Sequence, residues 1–237
     1  LILIIGILSD SRKIKSAYFR LFIQFLLVLI FIYFYELNIE ITRIFILDKF
    51  LANYFFSLLF STVCVLIIIN GTNFIDGSNI LAIGYFLILE IFLIILRSKG
   101  LNLEGILFSH NLIIVLSTVL LFNSINKLYL GDAGSYLLGF IYSFKCISLY
   151  LTNPSISPFF IALILWYPTF EILFSILRKL NFNRSPIKPD SNHLHQLVYF
   201  VLIPKISNNT LRSNLVGIII NIYNFILIIL SLIDIYN

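Results

Sequence analysis

The chain is dominated by apolar runs too long and too continuous for the interior of a water-soluble domain. Tyr54 to Ile69, for example, contains no Asp, Glu, Lys or Arg. A helix needs about 20 residues to cross the hydrocarbon core, and in lipid every backbone amide and carbonyl must find a partner within the helix or in a closed barrel. Because the runs are continuous rather than alternating, they read as helices, despite the many Phe, Ile and Tyr residues that would favour strands in water. With 60% hydrophobic and 11% charged residues and a mean hydropathy of +1.03, the chain has too little polar surface to cover a soluble globule. The expected fold is all-α, a polytopic transmembrane helical bundle with about seven full spans, near 19–35, 47–69, 78–96, 105–123, 134–151, 158–178 and 213–233.

An eighth helix is already under way at Leu1 and is expected to end near Leu8. It has no initiator Met, basic flank or small-residue cleavage site, so it reads as a truncated first helix rather than a signal peptide. The expectation is a single transmembrane catalytic domain over 1–237, incomplete at its N-terminus. Lys145 falls inside a span, where a charge is costly unless it faces protein or a wet cavity, so a polar interior partner is expected for it. Cys64 and Cys146 sit in apolar runs without metal-ligand spacing and read as packing thiols.

Alternation of the spans sorts the loops onto two sides. One set covers residues near 9–18, 70–77, 124–133 and 179–212; the other covers 36–46, 97–104 and 152–157. The first set and its margins carry Arg12, Lys13, Lys15, Arg20, Lys127, Arg178, Lys179, Arg184, Lys188, Lys205 and Arg212, against Arg43, Lys49, Arg97 and Lys99 opposite. By the positive-inside rule the first set is cytoplasmic. The formal charge of +5 is therefore explained by topology, and no nucleic-acid partner is expected.

The same side holds every polar island: Ser9–Lys13, Asn70–Asn79, Leu130–Ser135 and Pro186–His195. In the second island Asn73 and Asp76 place oxygen ligands on adjacent turns, although an Asx turn or cap would use the same residues. In the third, glycines flank Asp132 just before a span, where free helix N–H groups favour an anion. Asp132 there either caps the helix or binds a hard cation such as magnesium bridging phosphates. His193 and His195 lack the cysteine partners of a zinc site, and phosphate binding or proton handling suits them better. Asp10, Asp76 and Asp132 would repel one another if gathered, unless a divalent cation or basic groups such as Arg12, Arg184 and Lys188 compensate.

Four strings give a specific resemblance: GILSDSRKIKSAYFRLFIQ at Gly6–Gln24, NGTNFIDGSNILA at Asn70–Ala82, GDAGSYLLG at Gly131–Gly139 and PDSNHLH at Pro189–His195. In this order they resemble the polyprenyl-phosphate N-acetylhexosamine-1-phosphate transferases, bacterial membrane enzymes that start lipid-linked envelope-polysaccharide synthesis. The histidine string is similar to the branch using donors like UDP-N-acetylglucosamine. The resemblance implies transfer of an N-acetylaminosugar phosphate from a UDP-N-acetylhexosamine to undecaprenyl phosphate, with UMP released. It further implies magnesium, with manganese as an alternative, contact with membrane lipid, room for a homodimer, and a site on the cytoplasmic face of the bacterial plasma membrane.

Carried over by position, the resemblance implies catalytic roles for Asp10, Asp76, His193 and His195, and a metal held by Asp132 and Asp76. Asn73 and Asn79, with Arg12, Arg184 and Lys188, are the expected substrate-binding residues. Two positions depart from the family pattern. Ser9 replaces the first of a paired Asp, and Asn79 replaces a second acidic residue, and neither side chain can act as a resting carboxylate. These departures keep open a catalytically impaired scaffold or sugar-nucleotide-binding relative. A transporter is a further alternative, prompted by Lys145 and the several spans but disfavoured by polar clusters lying in one-sided loops.

Overall fold

A computed structural model describes residues 1–103, 111–181 and 192–236. Among these, the chain forms eleven α-helices and one 3-10 turn. The apolar runs appear as α1 (Ile2–Asp10), α2 (Ala17–Tyr35), α4 (Tyr54–Ile75), α5 (Leu81–Ser98), α6 (Asn111–Ser124), α7 (Gly131–Thr152) and α11 (Asn209–Leu230). Shorter helices are α3 (Phe45–Leu51), α8 (Pro158–Ile164), α9 (Trp166–Asn181) and α10 (Leu194–Leu202).

Local chemistry sets the starts of these helices. Ser16 Oγ accepts from the Phe19 N–H at 3.3 Å, Asn53 Oδ1 from Phe55 at 3.0 Å, and Asn208 Oδ1 from Leu211 at 3.0 Å. Each satisfies an N–H group that the first turn leaves without an intrahelical partner. Ser157 caps α8 in the same way at 3.2 Å, with Pro158 at the first helical position, where its missing N–H costs nothing.

Three boundaries differ from the expectation. The run at 47–69 is not one span: α3 stops at Leu51 and Asn53 opens α4. Residues 70–75 are not loop but the last turns of α4. Their polar side chains bond backward along the helix, Asn70 Nδ2 to Leu66 O at 2.9 Å and Thr72 Oγ1 to Ile68 O at 2.7 Å, so they do not break it. The run at 158–178 is broken at Leu165, where α8 and α9 meet at a bend of 80°. The carbonyl of Ile164 beside this break would look in a continuous helix to residue 168, but Pro168 has no N–H, and Tyr85 Oη donates to it instead at 2.7 Å.

The count of seven full spans is not confirmed. Among the described residues, α2, α4, α5 and α11 are long and apolar enough to cross a bilayer, and α8 with α9 makes a fifth if the bent pair is one span. Among the described residues the chain is all-helical, and its apolar helices are those of a multi-pass membrane protein. α7 has the length, but it carries Asp132 and Lys145 and packs against α1 and α4, so its polar groups meet protein. Lys145 has its expected partner: Nζ lies 2.5 Å from Glu90 Oε2, and the Tyr142 hydroxyl donates to the same oxygen at 2.8 Å. Both side chains are almost fully buried.

Two buried clusters flank the α4–α7 pair. One joins α1, α2, α4 and α7 through residues such as Val28, Ile32, Val65 and Phe144. The other joins α5, α7, α8, α9 and α11 through Tyr85, Phe86, Tyr142 and Tyr167. The two loop sets inferred from alternation meet at opposite ends. At one end Arg43 donates to Ser155 O at 3.0 Å, Tyr150 Oη to Ile41 O at 2.6 Å, and Asn153 Nδ2 to Asn102 O at 2.8 Å. At the other end lie Asp10, Asp76 and Asp132.

Candidate active site

The N-terminus of α7 organises this end. Gly131 has φ +60, and a Cβ there would lie 2.8 Å from Asp10 Oδ2. Only glycine meets both conditions without strain. The turn it makes exposes successive N–H groups, and the Asp10 carboxylate occupies two of them. Asp10, the last residue of α1, accepts from Asp132 N–H at 2.9 Å and Ala133 N–H at 3.1 Å, while Asp76, directly after α4, is close enough for the Gly131 amide to favour its charged form. Negative charge at a helix N-terminus is favourable, and these amides offset part of the repulsion between the two acids.

Asp132 projects into the same space. Its Oδ1 accepts from Asn73 Nδ2 at 2.7 Å, and its Oδ2 faces Arg20 at 3.0 Å, the Ser9 hydroxyl, and Tyr136 Oη at 3.4 Å. Arg20 also bonds Ser9. Ser9 therefore stands directly against Asp132, where a carboxylate would add a like charge, and it donates instead. Asp76 carries the electrostatic cost of the cluster. Burial pushes its carboxyl up to about 8, the Asp132 charge adds to that, the Gly131 amide opposes it, and Asp10 contributes a smaller rise.

The histidines reach the site from the other side of the α4 terminus. The His193 ring meets Phe74 edge-on at 5.0 Å and lies parallel to His195 at 5.8 Å. His195 packs so closely on Gly77 that a Cβ there would fall 2.0 Å from its Nε2. Burial lowers the His195 pKa to about 4, with Glu171 opposing and His193 adding to the fall, so it is neutral at ordinary pH. Residues 73–77 thus separate an acidic half, reached by Asn73 and Asp76, from an imidazole half, reached by Phe74 and Gly77.

Of the expected site residues, Asp10, Asn73, Asp76 and Asp132 come together, and His193 and His195 adjoin them. Asn79 turns elsewhere: its Nδ2 donates to Asn126 at 2.6 Å and its N–H to Ser213 at 2.9 Å, tying the α4–α5 connection to the start of α11. Arg12 is exposed, in the turn after α1, with its own N–H on Ser9 O at 2.8 Å. Arg184 and Lys188 lie outside the described residues.

Two residues that the sequence reading did not assign belong here. Arg20 counted only toward topology, yet it is the ion-pair partner of Asp132. Glu171, inside α9, lies 3.1 Å from His193 Nδ1 and accepts from the Leu194 N–H at 3.1 Å. An acid within an apolar run is itself a functional signal, and applying that rule to Glu171 as well as Lys145 would have found it.

Residues 1–150 match the family described as Glycosyl transferase family 4. The "Probable undecaprenyl-phosphate N-acetylglucosaminyl 1-phosphate transferase" of Bacillus subtilis (strain 168) is 34% identical over 169 residues, 68% of this chain and 45% of that protein. The "Undecaprenyl-phosphate alpha-N-acetylglucosaminyl 1-phosphate transferase" of Thermotoga maritima is 34% identical over 76 residues, 30% of this chain and 23% of that protein. The chain spans less than half the length of these curated relatives.

Proposed function

Because this chain belongs to glycosyl transferase family 4, we propose that it transfers N-acetylglucosamine 1-phosphate, or a closely related aminosugar phosphate, from a UDP-sugar to undecaprenyl phosphate. The observation that carries this reading is the gathering of Asp10, Asp76 and Asp132 around the α7 N-terminus, with Asn73 and Arg20 beside them. An oxygen of the acceptor phosphate forms a new bond to the sugar-linked phosphorus of the donor. The bond from that phosphorus to the bridging oxygen breaks, and UMP leaves with the electron pair. The acceptor phosphate is largely ionised near neutral pH, so the chemistry asks the protein mainly for positioning and charge neutralisation. That requirement tolerates serine at position 9.

Arg20 suits the acceptor phosphate, since a guanidinium matches phosphate geometry and is always charged. Asp10, fixed by two backbone N–H groups, orients the acceptor. His193 and His195 serve the donor phosphates. The donor atoms present fit a hard cation: Asp76 and Asp132 supply carboxyl oxygens, and after burial, the main cause of the rise at Asp76, the Asp132 charge adds a repulsion that such an ion would offset. Among the described residues no three His, Cys, Asp or Glu side chains converge as ligands of one ion. Magnesium, which takes one or two carboxylates plus substrate phosphates, suits that set and would supply neutralisation of the pyrophosphate when bound.

The lysine and arginine distribution supports a site on the cytoplasmic face of a bacterial plasma membrane. An apolar groove of about 280 Å³ between α4, α7 and the α8–α9 bend runs to Thr169, two residues before Glu171, and suits a lipid chain. The full-length protein, given magnesium, undecaprenyl phosphate and radiolabelled UDP-N-acetylglucosamine, forms a lipid-linked product and UMP. Absence of product with every UDP-N-acetylhexosamine, beside an active relative, overturns the proposal. Nucleotide-sugar binding without turnover selects the impaired relative.

A further inference from the structure

We infer that Glu171 is a positioning residue that fixes the hydrogen of the His193 imidazole on Nδ1 and thereby sets what Nε2 offers to a substrate phosphate. As it concerns the reaction, this inference rests on the transferase reading above.

Glu171 is buried on α9, six residues after the break at Leu165, with its side chain 4% exposed. Its two oxygens are divided between two donors. Oε2 faces His193 Nδ1 at 3.1 Å, and Oε1 accepts from the N–H of Leu194, the first residue of α10, at 3.1 Å. An ionised carboxylate only accepts, so the nitrogen facing it must carry hydrogen. The other ring nitrogen then becomes the variable atom, a lone pair in the neutral ring and a donor in the imidazolium.

The surroundings hold the ring as well as the proton. Phe74 meets it edge-on, His195 lies parallel to it, and the His193 N–H is held by Gln196 Oε1 at 3.1 Å. Phe74 follows Asn73, whose amide grips Asp132. The acid on α9 therefore fixes a ring on the α10 side against the same helical turn that carries the aspartate cluster. A carboxylate that orients a histidine from behind is a recurrent device in which the acid itself touches no reacting atom.

A purely structural tether predicts different behaviour from a positioning group. Glu171→Gln preserves size and can still accept from Leu194 with its amide oxygen. Its NH2 group then faces Nδ1, which must become the acceptor, and the hydrogen moves to Nε2. The test uses the full-length protein in detergent or nanodiscs. In wild type, ¹⁵N spectra of labelled histidine at about pH 8.5, assigned with His193→Gln, show hydrogen on Nδ1 of His193; in Glu171→Gln the hydrogen is on Nε2. In the transferase assay Glu171→Gln lowers kcat by about 10–100-fold with little change in donor KM. Glu171→Asp retains more turnover, and in a His193→Gln background Glu171→Gln costs less than about threefold.

Hydrogen on Nε2 in the wild type, kcat of Glu171→Gln within about threefold of wild type, or an undiminished loss in the His193→Gln background overturns the inference. An inactive wild type overturns the transferase reading and with it the catalytic part of the inference. The spectra separately decide whether Glu171 sets the His193 hydrogen.

Discussion

Glu90→Leu should be among the most damaging single changes in the membrane interior. It removes the carboxylate that lies 2.5 Å from Lys145 Nζ and 2.8 Å from Tyr142 Oη. The side chains of the pair are 0% and 2% exposed, so water cannot take over the role. Losing one member of a buried pair costs about 3–5 kcal/mol, most of it the penalty of the charge left behind. For a chain of this size, 1 kcal/mol corresponds to about 2–4 °C in melting temperature, which places the fall at roughly 6–20 °C. The double variant Glu90→Leu, Lys145→Met removes both charges and keeps the volume, and it should recover most of that loss. Thermal melts in detergent, followed by tryptophan fluorescence or by size-exclusion profiles after heating, measure both. A Glu90→Leu protein melting within about 2 °C of wild type, or a double variant no better than the single, would refute the assignment of Glu90 as the counter-charge of Lys145.

Other outcomes follow from the site. Asp132→Asn should lower turnover by about 10²–10³-fold while leaving the melting temperature close to that of wild type; retained turnover rejects its role. Gly131→Ala forces a left-handed conformation on a residue with a Cβ and presses that carbon against Asp10, costing about 1–2 kcal/mol and at least tenfold in activity, both readable in the same preparations. His195 titrates at about 4 in the folded protein against 6.5 normally, so below pH 6.5 the unfolded chain binds the extra proton first. Stability should therefore decline as pH falls from 6.5 toward 4 and be unaffected by this group above that window. His195→Gln should flatten the decline in melting temperature; an equally steep decline shows that another group is responsible.

The helical architecture and the sorting of loops were legible because they depend on properties that add along the chain: apolar length and alternation. Asp10 and Asp132 could be placed on one side without any knowledge of their contacts, and the hydrogen bonds between them follow that sorting. Breaks inside apolar runs were missed, although Pro168 signals one of them. Asn53 and Leu165 lie within stretches whose mean hydropathy is that of a span, and what decides a break is a cap, as at Asn53, or a missing N–H, as at Pro168, for which Tyr85 stands in at the Ile164 carbonyl. Position 79 shows a different limit. Motif spacing placed its amide beside Asp76, but a side chain one turn away can point into an unrelated junction, as Asn79 does toward Asn126. Glu171 was missed although an acid inside an apolar run is a signal in itself, and Arg20 because it looked like an ordinary loop-margin cation. Their roles arise only from pairing across 22 and 112 residues.

The Glu90–Lys145 pair also has a consequence for biogenesis. Its members are 55 residues apart in sequence, so during synthesis α5 leaves the ribosome well before α7. Until α7 arrives, Glu90 must be held in or near the bilayer without its partner, at a cost of about 2.5–3.5 kcal/mol on insertion scales. α5 is therefore a helix whose stable residence in lipid is completed by a later one. Chains halted before Lys145 should keep α5 accessible to the translocon or to aqueous labelling reagents, and chains extended through α7 should not.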